Sequence, residues 1–382
     1  MLKPFHLLVA VLLLAQTDAA LAATAPSMGV ASSFAVLGGG TVTNTGTTTL
    51  NGDLGVSPGT ITGAAITVTG TVHAADVTAA NAQTAATAAY NDLAGQACDA
   101  APLGATDLAG FVLAPGVYCY SSTLAIAGGG VLTLDAGGNA NAVWVFKIGS
   151  TLTTGSGASV VLVNGAQQSN VFWQVGSSAT LGTTTAFKGT IIALTSITLN
   201  TGASVAGRVL ARNDTVTLDT NTVSAPQPSL TIAKSVLVYS DPFNVASNPK
   251  AIPGALMTYT VTALNSGTGP VDSGTTVITD PIPANTALFV GDINGTGSGS
   301  GPVLFTQGST SSGLSYTFTA LGNSGDDVDF YNGTTWSYVP VAGADGCDPL
   351  VTHLRVKPKG TFVGTAAPPN PGFSLNFRVC VK

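Results

Sequence analysis

The 382-residue chain contains no glutamate, and charged residues of every kind make up only 8% of it. Its 18 acidic residues are all aspartates, and its 12 lysines and arginines are scattered singly along the chain. Because such a chain has no basic stripe to neutralise phosphates, we predict no nucleic-acid partner. The 45% apolar content and the small net charge of −6 argue against disorder. The surface must be built mainly from threonine, serine, asparagine and glycine.

Groups that carry enzyme chemistry are also scarce. Outside the first 22 residues only two histidines occur, His73 and His353, and the sequence has neither a Gly-x-Ser-x-Gly elbow nor a His-Glu-x-x-His pair. Aspartates on different turns of a helical fold, such as Asp135 and Asp219, leave a polysaccharide lyase or hydrolase open. We predict a structural or solvent-exposed role for His73, and a non-enzymatic protein with no catalytic residue, no metal site and no cofactor.

The first 22 residues have the features of an export signal. A basic region with Lys3 precedes an apolar run over residues 7–15, and small residues before Ala23 suit cleavage there. The run is too short to span a bilayer, and no later stretch has the roughly 18 to 20 uncharged apolar residues that a membrane helix needs. We predict residues 1–22 as a signal peptide, and a secreted, soluble mature chain without a membrane span.

A proline-punctuated segment separates two regions of different composition. Residues 224–228 read Ser-Ala-Pro-Gln-Pro, and tyrosine, lysine and aspartate become commoner after them. A chain of this length has room for about two domains. We predict an N-terminal domain over residues 23–224, a linker over residues 225–229 and a C-terminal domain over residues 230–382.

Four cysteines, an even number, accompany the export signal. In an oxidising compartment this favours disulfides over thiolate metal sites or a reactive thiol. Four cysteines allow three pairings. The local one, Cys98 with Cys119 and Cys347 with Cys380, keeps each bridge inside one domain.

The N-terminal domain repeats a short motif, Thr-Leu-x-Thr or Thr-Leu-x-Ala. Successive copies start 18, 29, 18 and 19 residues apart. An interval of about 18 residues with glycine corners predicts a β-solenoid in which each turn has three short strands. By strand alternation the leucine points inward, whereas the threonine and the x residue point outward. The copies begin at Thr133, Thr151, Thr180, Thr198 and Thr217.

The segments before these motifs are apolar at consecutive positions, as in residues 143–146 and 191–194. A strand that is apolar on both sides needs a cover on its outer side. The alanine-rich stretch over residues 73–97 is predicted to be that cover, as a helix that ends near Gly95. Its small side chains would let the helix lie close against the solenoid.

The outward motif residues predict one flat, threonine-rich face. Stacked turns place equivalent residues about 4.7 to 4.9 Å apart along the axis. Threonine has a restricted χ1 and presents both a methyl group and a hydroxyl, so a rank of threonines suits a periodic solid held through ordered water. The simpler interpretation, that threonine fills exposed strand positions because of its β-propensity, stays open. The residues predicted for the face are Thr133, Thr151, Thr153, Thr180, Gly182, Thr198, Asn200 and Thr217.

Two features compete with this choice of face. Asp135 and Asp219 are expected on it, where charges interrupt a uniform surface. A second outward column is predicted from Ser159, Ala186, Ser204 and Thr222. We expect Lys188 and Arg208 to protrude beside that second column and to disturb flat contact, so we favour the Thr-Leu-x-Thr face.

Beyond the linker, alternating runs without a long helical pattern indicate an antiparallel β-sandwich of about seven strands. Asp326, Asp327 and Asp329 suggest a calcium site or, more simply, a solvated acidic loop. The glycine-rich loop that begins at Asp292 lacks the bidentate glutamate of a calcium loop and is expected to be flexible. The strands are predicted over residues 230–239, 257–264, 275–279, 314–321, 335–341, 351–356 and 373–381.

Six segments of the N-terminal domain match a known pattern: ASSFAVL (31–37), TLNGDLGVSPG (49–59), AYNDL (89–93), PGVY (115–118), NVFWQVGSSATLG (170–182) and LTSITL (194–199). On these segments, residues 30–225 resemble the microbial ice-binding proteins of the discontinuous β-solenoid type, the DUF3494 family. The resemblance implies a right-handed β-helix of triangular cross-section with one long helix packed alongside. It also implies a flat face that adsorbs to ice without an enzyme active site.

The C-terminal domain carries PGALMTYTVT (253–262), NSGTG (265–269) and DPIPAN (280–285). In these segments it is similar to DUF11-type surface modules of bacteria, which implies an Ig-like structural module of the cell envelope. Together the resemblances imply a secreted antifreeze protein whose partner is the ice crystal surface, and which inhibits ice growth and recrystallisation. The alternative is an extracellular adhesin or structural module that binds a protein or glycan. The sequence leaves open whether the C-terminal domain associates with the cell envelope.

Overall fold

The computed structural model describes residues 23–99, 104, 106–295, 297–365 and 368–382. Strands dominate both halves of the chain, and the N-terminal half adds one long helix, α1 (Val77–Gly95), and two short 3-10 helices (Gly29–Ser33 and Gln168–Asn170). The predicted signal peptide lies outside the described residues. Among the described helices, none is long and apolar enough to cross a membrane.

The N-terminal domain consists of short strands joined by tight turns. Parallel pairing stacks these strands into three sheets around one core, which confirms the predicted β-solenoid. The strands are β1 (Phe34–Gly38), β2 (Thr41–Thr45), β3 (Thr48–Asn51), β4 (Asp53–Val56), β5 (Thr60–Gly63), β6 (Ile66–Val68), β7 (Val72–Ala74), β8 (Val112–Leu113), β9 (Gly116–Tyr120), β10 (Leu124–Ile126), β11 (Val131–Asp135), β12 (Trp144–Ile148), β13 (Leu152–Thr154), β14 (Ser159–Val163), β15 (Val171–Val175), β16 (Ala179–Leu181), β17 (Ala186–Lys188), β18 (Thr190–Ala193), β19 (Ile197–Leu199), β20 (Ser204–Ala206), β21 (Val209–Ala211), β22 (Val216–Asp219) and β23 (Thr222–Ser224).

The three parallel sheets are called sheet A, sheet B and sheet C. Sheet A has the order β7-β4-β1-β21-β18-β15-β12-β9, sheet B the order β10-β13-β16-β19-β22-β2-β5, and sheet C the order β6-β3-β23-β20-β17-β14-β11-β8. Each complete turn of the chain passes from sheet A to sheet B to sheet C. The three sheets therefore form the three sides of the solenoid.

The spatial order of the turns differs from their order along the chain. β1 pairs with β21 through Val36 and Val209, and β2 pairs with β22 through Thr43 and Thr217. The first turns therefore stack on the last turn. Helix α1 carries the chain to the opposite end, and the strands from β8 onwards wind back toward the start.

The interior contains a ladder of leucines and a stack of aromatic rings. Trp173 lies between Phe146 and Phe187, with ring centroids 3.9 and 4.9 Å away, and its indole N–H donates to the Lys188 carbonyl at 3.0 Å. Parallel register places similar side chains above one another, so that each turn completes the core of its neighbours. The motif leucines predicted to point inward are all fully buried: Leu134, Leu152, Leu181, Leu199 and Leu218.

Helix α1 covers the outer side of sheet A, as predicted. Its first turn is capped by Asp76, whose carboxylate accepts the backbone N–H of Ala79 at 2.8 Å. The helix is shorter than the predicted span because His73 lies on β7, with its Nδ1 2.8 Å from the Asp76 carboxylate. The buried interface between the helix and the sheet includes Ala82, Ala86, Ala89, Tyr90 and Leu93 of α1 and Val117, Val145, Phe172, Ile192 and Leu210 of sheet A.

Buried asparagines close the corner between sheets B and C. The side-chain amide of Asn221 donates to the carbonyls of Asn200 and Ala203, both at 3.0 Å, and its oxygen accepts the backbone N–H of Asp219 at 2.6 Å. Asn44 donates to backbone carbonyls in the same way on the neighbouring turn. Backbone groups that leave the strand ladder at this corner are thereby satisfied inside the protein.

Asn221→Ala is expected to destabilise the solenoid because it removes the side-chain partner of the Ala203 carbonyl and of the Asp219 N–H, whereas the Asn200 carbonyl keeps the Ala203 N–H at 3.0 Å. Each group left without a partner costs on the order of 1 to 3 kcal/mol, so the free energy of unfolding should fall by about 2 kcal/mol or more. Urea denaturation followed by circular dichroism measures the loss. Asn213→Ala, at an exposed turn, is the matched control and should cost less than about 0.5 kcal/mol. Equal losses in the two variants would contradict this role of the corner asparagine.

Both predicted local disulfides are present, Cys98–Cys119 and Cys347–Cys380. The first ties the segment after α1 to β9 across a sequence separation of 21 residues. Closure of a loop of this size stabilises a fold by about 3 kcal/mol in the chain-entropy model. The second lies inside the C-terminal domain, so neither bridge crosses the linker.

The C-terminal domain is built from antiparallel sheets, as predicted. Its strands are β24 (Leu230–Ser240), β25 (Leu256–Asn265), β26 (Ile278–Pro281), β27 (Thr286–Phe289), β28 (Val303–Gln307), β29 (Thr310–Ser311), β30 (Leu314–Ser315), β31 (Val328–Tyr331), β32 (Cys347–Asp348), β33 (His353–Val356), β34 (Lys359–Gly360) and β35 (Pro371–Val381). The largest sheet, sheet D, has the order β24-β25-β35-β27-β32, and β28 also pairs with β35. Strands β26-β33-β31 form a second sheet, and both contribute to one apolar core.

Several strands predicted for this domain are wrong in extent. Residues 335–341 contain no strand, and the runs predicted over 275–279 and 314–321 are strand only at Ile278–Thr279 and at β30. Six strands are absent from the prediction: β27, β28, β29, β31, β32 and β34. These strands are short and lie between long loops, where too few alternating residues occur to give a periodic pattern.

The acidic segment over residues 326–329 is not a solvated loop. Asp326 and Asp327 are only 4% and 1% exposed. Asp326 accepts the backbone N–H groups of Thr319 and Ala320 at 2.7 and 3.0 Å. Burial raises the pKa of Asp326, but these hydrogen bonds outweigh burial and leave the pKa below its ordinary value. The predicted solvated loop is therefore wrong, because the carboxylates hold neighbouring turns in place.

Backbone N–H groups of the glycine-rich loop after Asp292 converge on the carboxylate of that aspartate. The Asp292 carboxylate accepts the backbone N–H groups of Gly297, Gly299 and Gly301 at 2.8 to 3.2 Å. The hydrogen bond from Gly301 contributes most to lowering the pKa of this carboxylate. The aspartate thus organises the loop through backbone hydrogen bonds.

The predicted linker contacts the solenoid through Pro226. The guanidinium of Arg208 donates to the carbonyls of Ser32 and Pro226 at 2.9 and 3.0 Å. Burial lowers the pKa of Arg208 to about 10, and the charge of Asp272 opposes that shift. These contacts join the segment before β1, the solenoid and the predicted linker.

Candidate functional site

The outer side of sheet B carries a column of small side chains, mostly threonines, with one residue from each strand. Strand register sets this column directly, since Thr180 pairs with Thr153 on one side and with Thr198 on the other. Neighbouring strands lie about 4.8 Å apart, so seven strands give a column about 29 Å long. In spatial order this central column is Ala125, Thr153, Thr180, Thr198, Thr217, Thr43 and Thr62.

Two further columns flank the central column on the same face. In each strand of sheet B, the upstream column takes the residue just before the first side chain that points inward. Backbone hydrogen bonds between neighbouring strands keep these residues in register, as from the Ala179 N–H to the Ser196 carbonyl at 3.0 Å. Its members are Thr123, Thr151, Ser178, Ser196, Thr215, Thr41 and Thr60. The downstream column includes Gly182, Asn200, Asp219 and Thr45. The face is therefore three residues wide and consists mainly of small hydroxyl-bearing side chains.

The eight residues predicted for the face do not form one column. Thr153, Thr180, Thr198 and Thr217 lie in the central column, Thr151 lies in the upstream column, and Gly182 and Asn200 lie in the downstream column. Thr133 lies on β11 in sheet C, where it pairs with Val112 and Val161. Its predicted alignment with Thr180 is wrong because loops lengthen the early turns and move the same motif to a different strand.

Free charge is nearly absent from this face. In the described strands of sheet B the only charged residue is Asp219, at the end of β22. Its carboxylate accepts hydroxyl hydrogen bonds from Thr201 and Thr220. Asp214, in the turn before β22, accepts the Ser196 hydroxyl at 2.9 Å, and this bond lowers its pKa. Both carboxylates therefore accept hydroxyl hydrogen bonds, Asp214 from Ser196 of the upstream column and Asp219 from two threonines in the turns after β19 and β22.

Sheet C is less uniform. The predicted second column is confirmed by register, because Ser159 pairs with Ala186, Ala186 with Ser204, and Ser204 with Thr222. Exposed valines stand beside this column, including Val112 at 65% exposure. Asp135, predicted for the threonine face, lies on sheet C, where Asn164 donates to its carboxylate at 2.8 Å. The backbone N–H of Gly137 contributes most to lowering the pKa of that aspartate.

The C-terminal domain occupies part of the space beside sheet C. The side-chain amide of Gln167 donates to the Thr365 hydroxyl at 3.3 Å. Pro368 and Pro369 line a cavity of about 710 Å³ together with residues of β14 and β17. Arg208 does not protrude beside this sheet as predicted, because it is only 4% exposed. With sheet A covered by α1 and sheet C flanked by the second domain, sheet B is the broad open side.

Metal-ligating residues come together at one place among the described residues, Asp345 with Cys347 and Cys380. The two cysteines are joined in a disulfide. They therefore have no thiolate to offer a metal.

Known proteins share the N-terminal architecture. A family model described as ice-binding-like matches residues 36–224, which covers the three parallel sheets and α1. An ice-binding protein of Nostoc sp. (strain HG1) is 51% identical over 212 residues, which cover 55% of this chain and 77% of that protein. The chain belongs to the ice-binding-like family. The C-terminal domain lies outside the residues that the family model matches.

Other ice-binding proteins are similar over about the same part of the chain. An ice-binding protein of Flavobacterium frigoris (strain PS1) is 37% identical over 218 residues, covering 53% of this chain and 76% of that protein. The crystal structure of an ice binding protein from an Antarctic biological consortium is 42% identical, with a TM-score of 0.51 and coverage of 59% of this chain and 96% of that chain. Similarity to family members therefore extends over the solenoid half of this chain.

Sequence reasoning missed the part of the face that comes from the first turns. Thr43 and Thr62 continue the central column beyond Thr217. The signal in the sequence is an alternating Thr-x-Thr in both strands, Thr41 to Thr43 and Thr60 to Thr62. The Thr-Leu-x-Thr motif does not capture these segments, because valine and isoleucine replace leucine at the inward position.

Proposed function

We propose that this protein is a secreted ice-binding protein that adsorbs to ice crystals through the outer face of sheet B. The observation that carries the proposal is the register of the central column, which places six threonines and one alanine at one repeat distance. Family membership supports the choice of ligand. Adsorption at many points pins the crystal surface, and this inhibits ice growth and recrystallisation.

The chemistry of the face suits an ordered solid. Each threonine has a stiff χ1, so little rotamer entropy is lost when its methyl and hydroxyl groups meet a fixed array of water molecules. The hydroxyl of Thr43 donates to the hydroxyl of Thr217 at 3.4 Å, so neighbouring members of the column contact one another. A nearly uncharged face also avoids the strong hydration that would hold liquid water at the surface.

The test uses the mature chain, residues 23–382, and a growing ice hemisphere. We expect the protein to partition into the ice, to shape single crystals into facets and to keep grains small in a recrystallisation assay. The same protein denatured by urea and then dialysed with its disulfides reduced is the control for solute effects. Exclusion of the folded protein from ice, together with unrestricted grain growth, would contradict the proposed function.

A non-enzymatic role is part of the proposal. His73 and His353 lie in different domains, and the aspartates beside sheet B are bonded to hydroxyls.

We further propose that the C-terminal domain spaces the solenoid from the cell envelope, because the Arg208 contacts fix the linker on the side away from sheet B. Recovery of the protein with washed cells, and its release when residues 230–382 are removed, would support this attachment; full recovery in the medium would contradict it.

A further inference from the structure

Sheet D ends at a long strand whose outer edge is unpaired. β24 pairs with β25 on one side, and no other described strand pairs with it. Ile232, Val236 and Leu237 are 63%, 42% and 74% exposed. Proteins protect such edges with short strands, prolines or outward charges. β24 has 11 residues and none of them is proline, so its edge is unusually open.

The single charged residue of β24 does not protect this edge. The ammonium of Lys234 lies 2.5 Å from the carboxylate of Asp280 and 4.6 Å from the ring centroid of Tyr259. Both contacts hold it over its own domain. The strand has no acidic residue, and therefore an approaching strand of the same sequence would meet apolar and hydroxyl groups along most of its length.

We propose that β24 pairs with β24 of a second copy of this chain, antiparallel about a two-fold axis through Ser235. In that register Ile232 of one copy faces Val238 of the other, and Lys234 faces Val236. Exposed apolar side chains then cover one another, and the two lysines are kept apart. An axis through Lys234 would place the two lysines opposite one another, so charge disfavours that register.

The position of the linker favours antiparallel over parallel pairing. Leu230 directly follows the predicted linker, so the start of β24 is the end nearest the solenoid. Antiparallel pairing places the two solenoids at opposite ends of a strand about 37 Å long. Parallel pairing would bring both solenoids to the same end, where they would compete for space.

The expected interface is small. A strand edge about 37 Å long and 10 Å thick presents roughly 370 Å² on each copy, or about 740 Å² in total. Stable specific interfaces bury about 1,200 to 2,000 Å². Because the estimated area is below this range, we expect a weak, reversible dimer that dissociates in the micromolar range.

Sedimentation velocity of the mature chain from about 1 to 300 μM spans that range. We expect the weight-average sedimentation coefficient to rise from the monomer value toward the dimer value. Val236→Lys places an ammonium opposite Lys234 of the second copy and should weaken the dimer at least about tenfold. Val236→Glu removes the same apolar group but places a carboxylate there, and the dissociation constant should stay within about threefold.

Phe243→Lys is the matched control, because Phe243 is 83% exposed in the loop after β24. It exchanges an exposed apolar group for lysine without touching the strand, and the dimer should persist. Circular dichroism checks that every variant keeps its fold. A monomer over the whole range, or equal effects of Val236→Lys and Val236→Glu, would overturn the proposal. No ice is present, so this result is independent of the proposed function.

Discussion

Thr180→Tyr combined with Thr198→Tyr is expected to bring thermal hysteresis and recrystallisation inhibition close to the buffer baseline. The two residues are adjacent in the central column, with further turns on both sides. Two tyrosine rings project beyond the threonine side chains and hold the rest of the face away from a flat solid. Loss of a central contact typically costs 2 kcal/mol or more, so activity should fall by at least about tenfold.

The matched control for this variant is Thr222→Tyr together with Ser204→Tyr on sheet C. These residues are also adjacent by register and lie at the solenoid surface. If sheet B alone contacts ice, the control should retain nearly all activity, and circular dichroism should show no change in either variant. Loss of activity only in the sheet C variant would move the ice-binding face to sheet C. Undiminished activity in the sheet B variant would exclude the central column.

Trp173→Ala is expected to cause the largest loss of stability among single substitutions in the solenoid. Its ring is fully buried and stacks on Phe146 with an interplanar angle of 9°. Truncation removes the stack and leaves a cavity in a core that winds through every turn. Replacement of buried tryptophan by alanine costs about 3 to 5 kcal/mol, which urea denaturation followed by circular dichroism measures.

Trp173→Phe separates packing from hydrogen bonding at the same position. Phenylalanine keeps an aromatic ring in the stack but leaves the Lys188 carbonyl without its indole donor. The loss should be smaller, about 1 to 3 kcal/mol, because one buried acceptor goes unsatisfied. A loss in Trp173→Ala below about 1 kcal/mol would show that the neighbouring rings close the gap, contrary to our expectation.

The parts of the solenoid that were predictable from the sequence depend on local periodicity. The spacing of the motif leucines predicts that they are buried. The consecutive apolar residues around Phe172 predict that the outer side of sheet A is covered by another element. The position of β1 beside β21 has no such signal, because Val36 and Val209 meet across most of the domain. Pairing between such distant segments depends on which ends of the fold stack together, and a local pattern does not encode that choice.

The same limit explains the errors at the candidate site. Motif matching treated Thr133 and Thr180 as equivalent, although loops of different length had moved Thr133 to sheet C. It also omitted Thr62, because the inward residue beside it is isoleucine. In the C-terminal domain, the run of aspartates does not show that Asp326 accepts hydrogen bonds from the backbone of Thr319 and Ala320, because no turn motif in the sequence indicates that contact.

Helix α1 also determines how the solenoid can change in length during evolution or by design. Its 19 residues span about 28 Å at 1.5 Å per residue. Each additional turn would lengthen the stack by about 4.8 Å, which corresponds to about three more helical residues. A longer threonine face on sheet B therefore requires two coordinated insertions at separate places in the chain. A turn inserted alone would leave one strand of sheet A with its apolar outer side uncovered. The length of the helix therefore limits the number of turns that the solenoid can have.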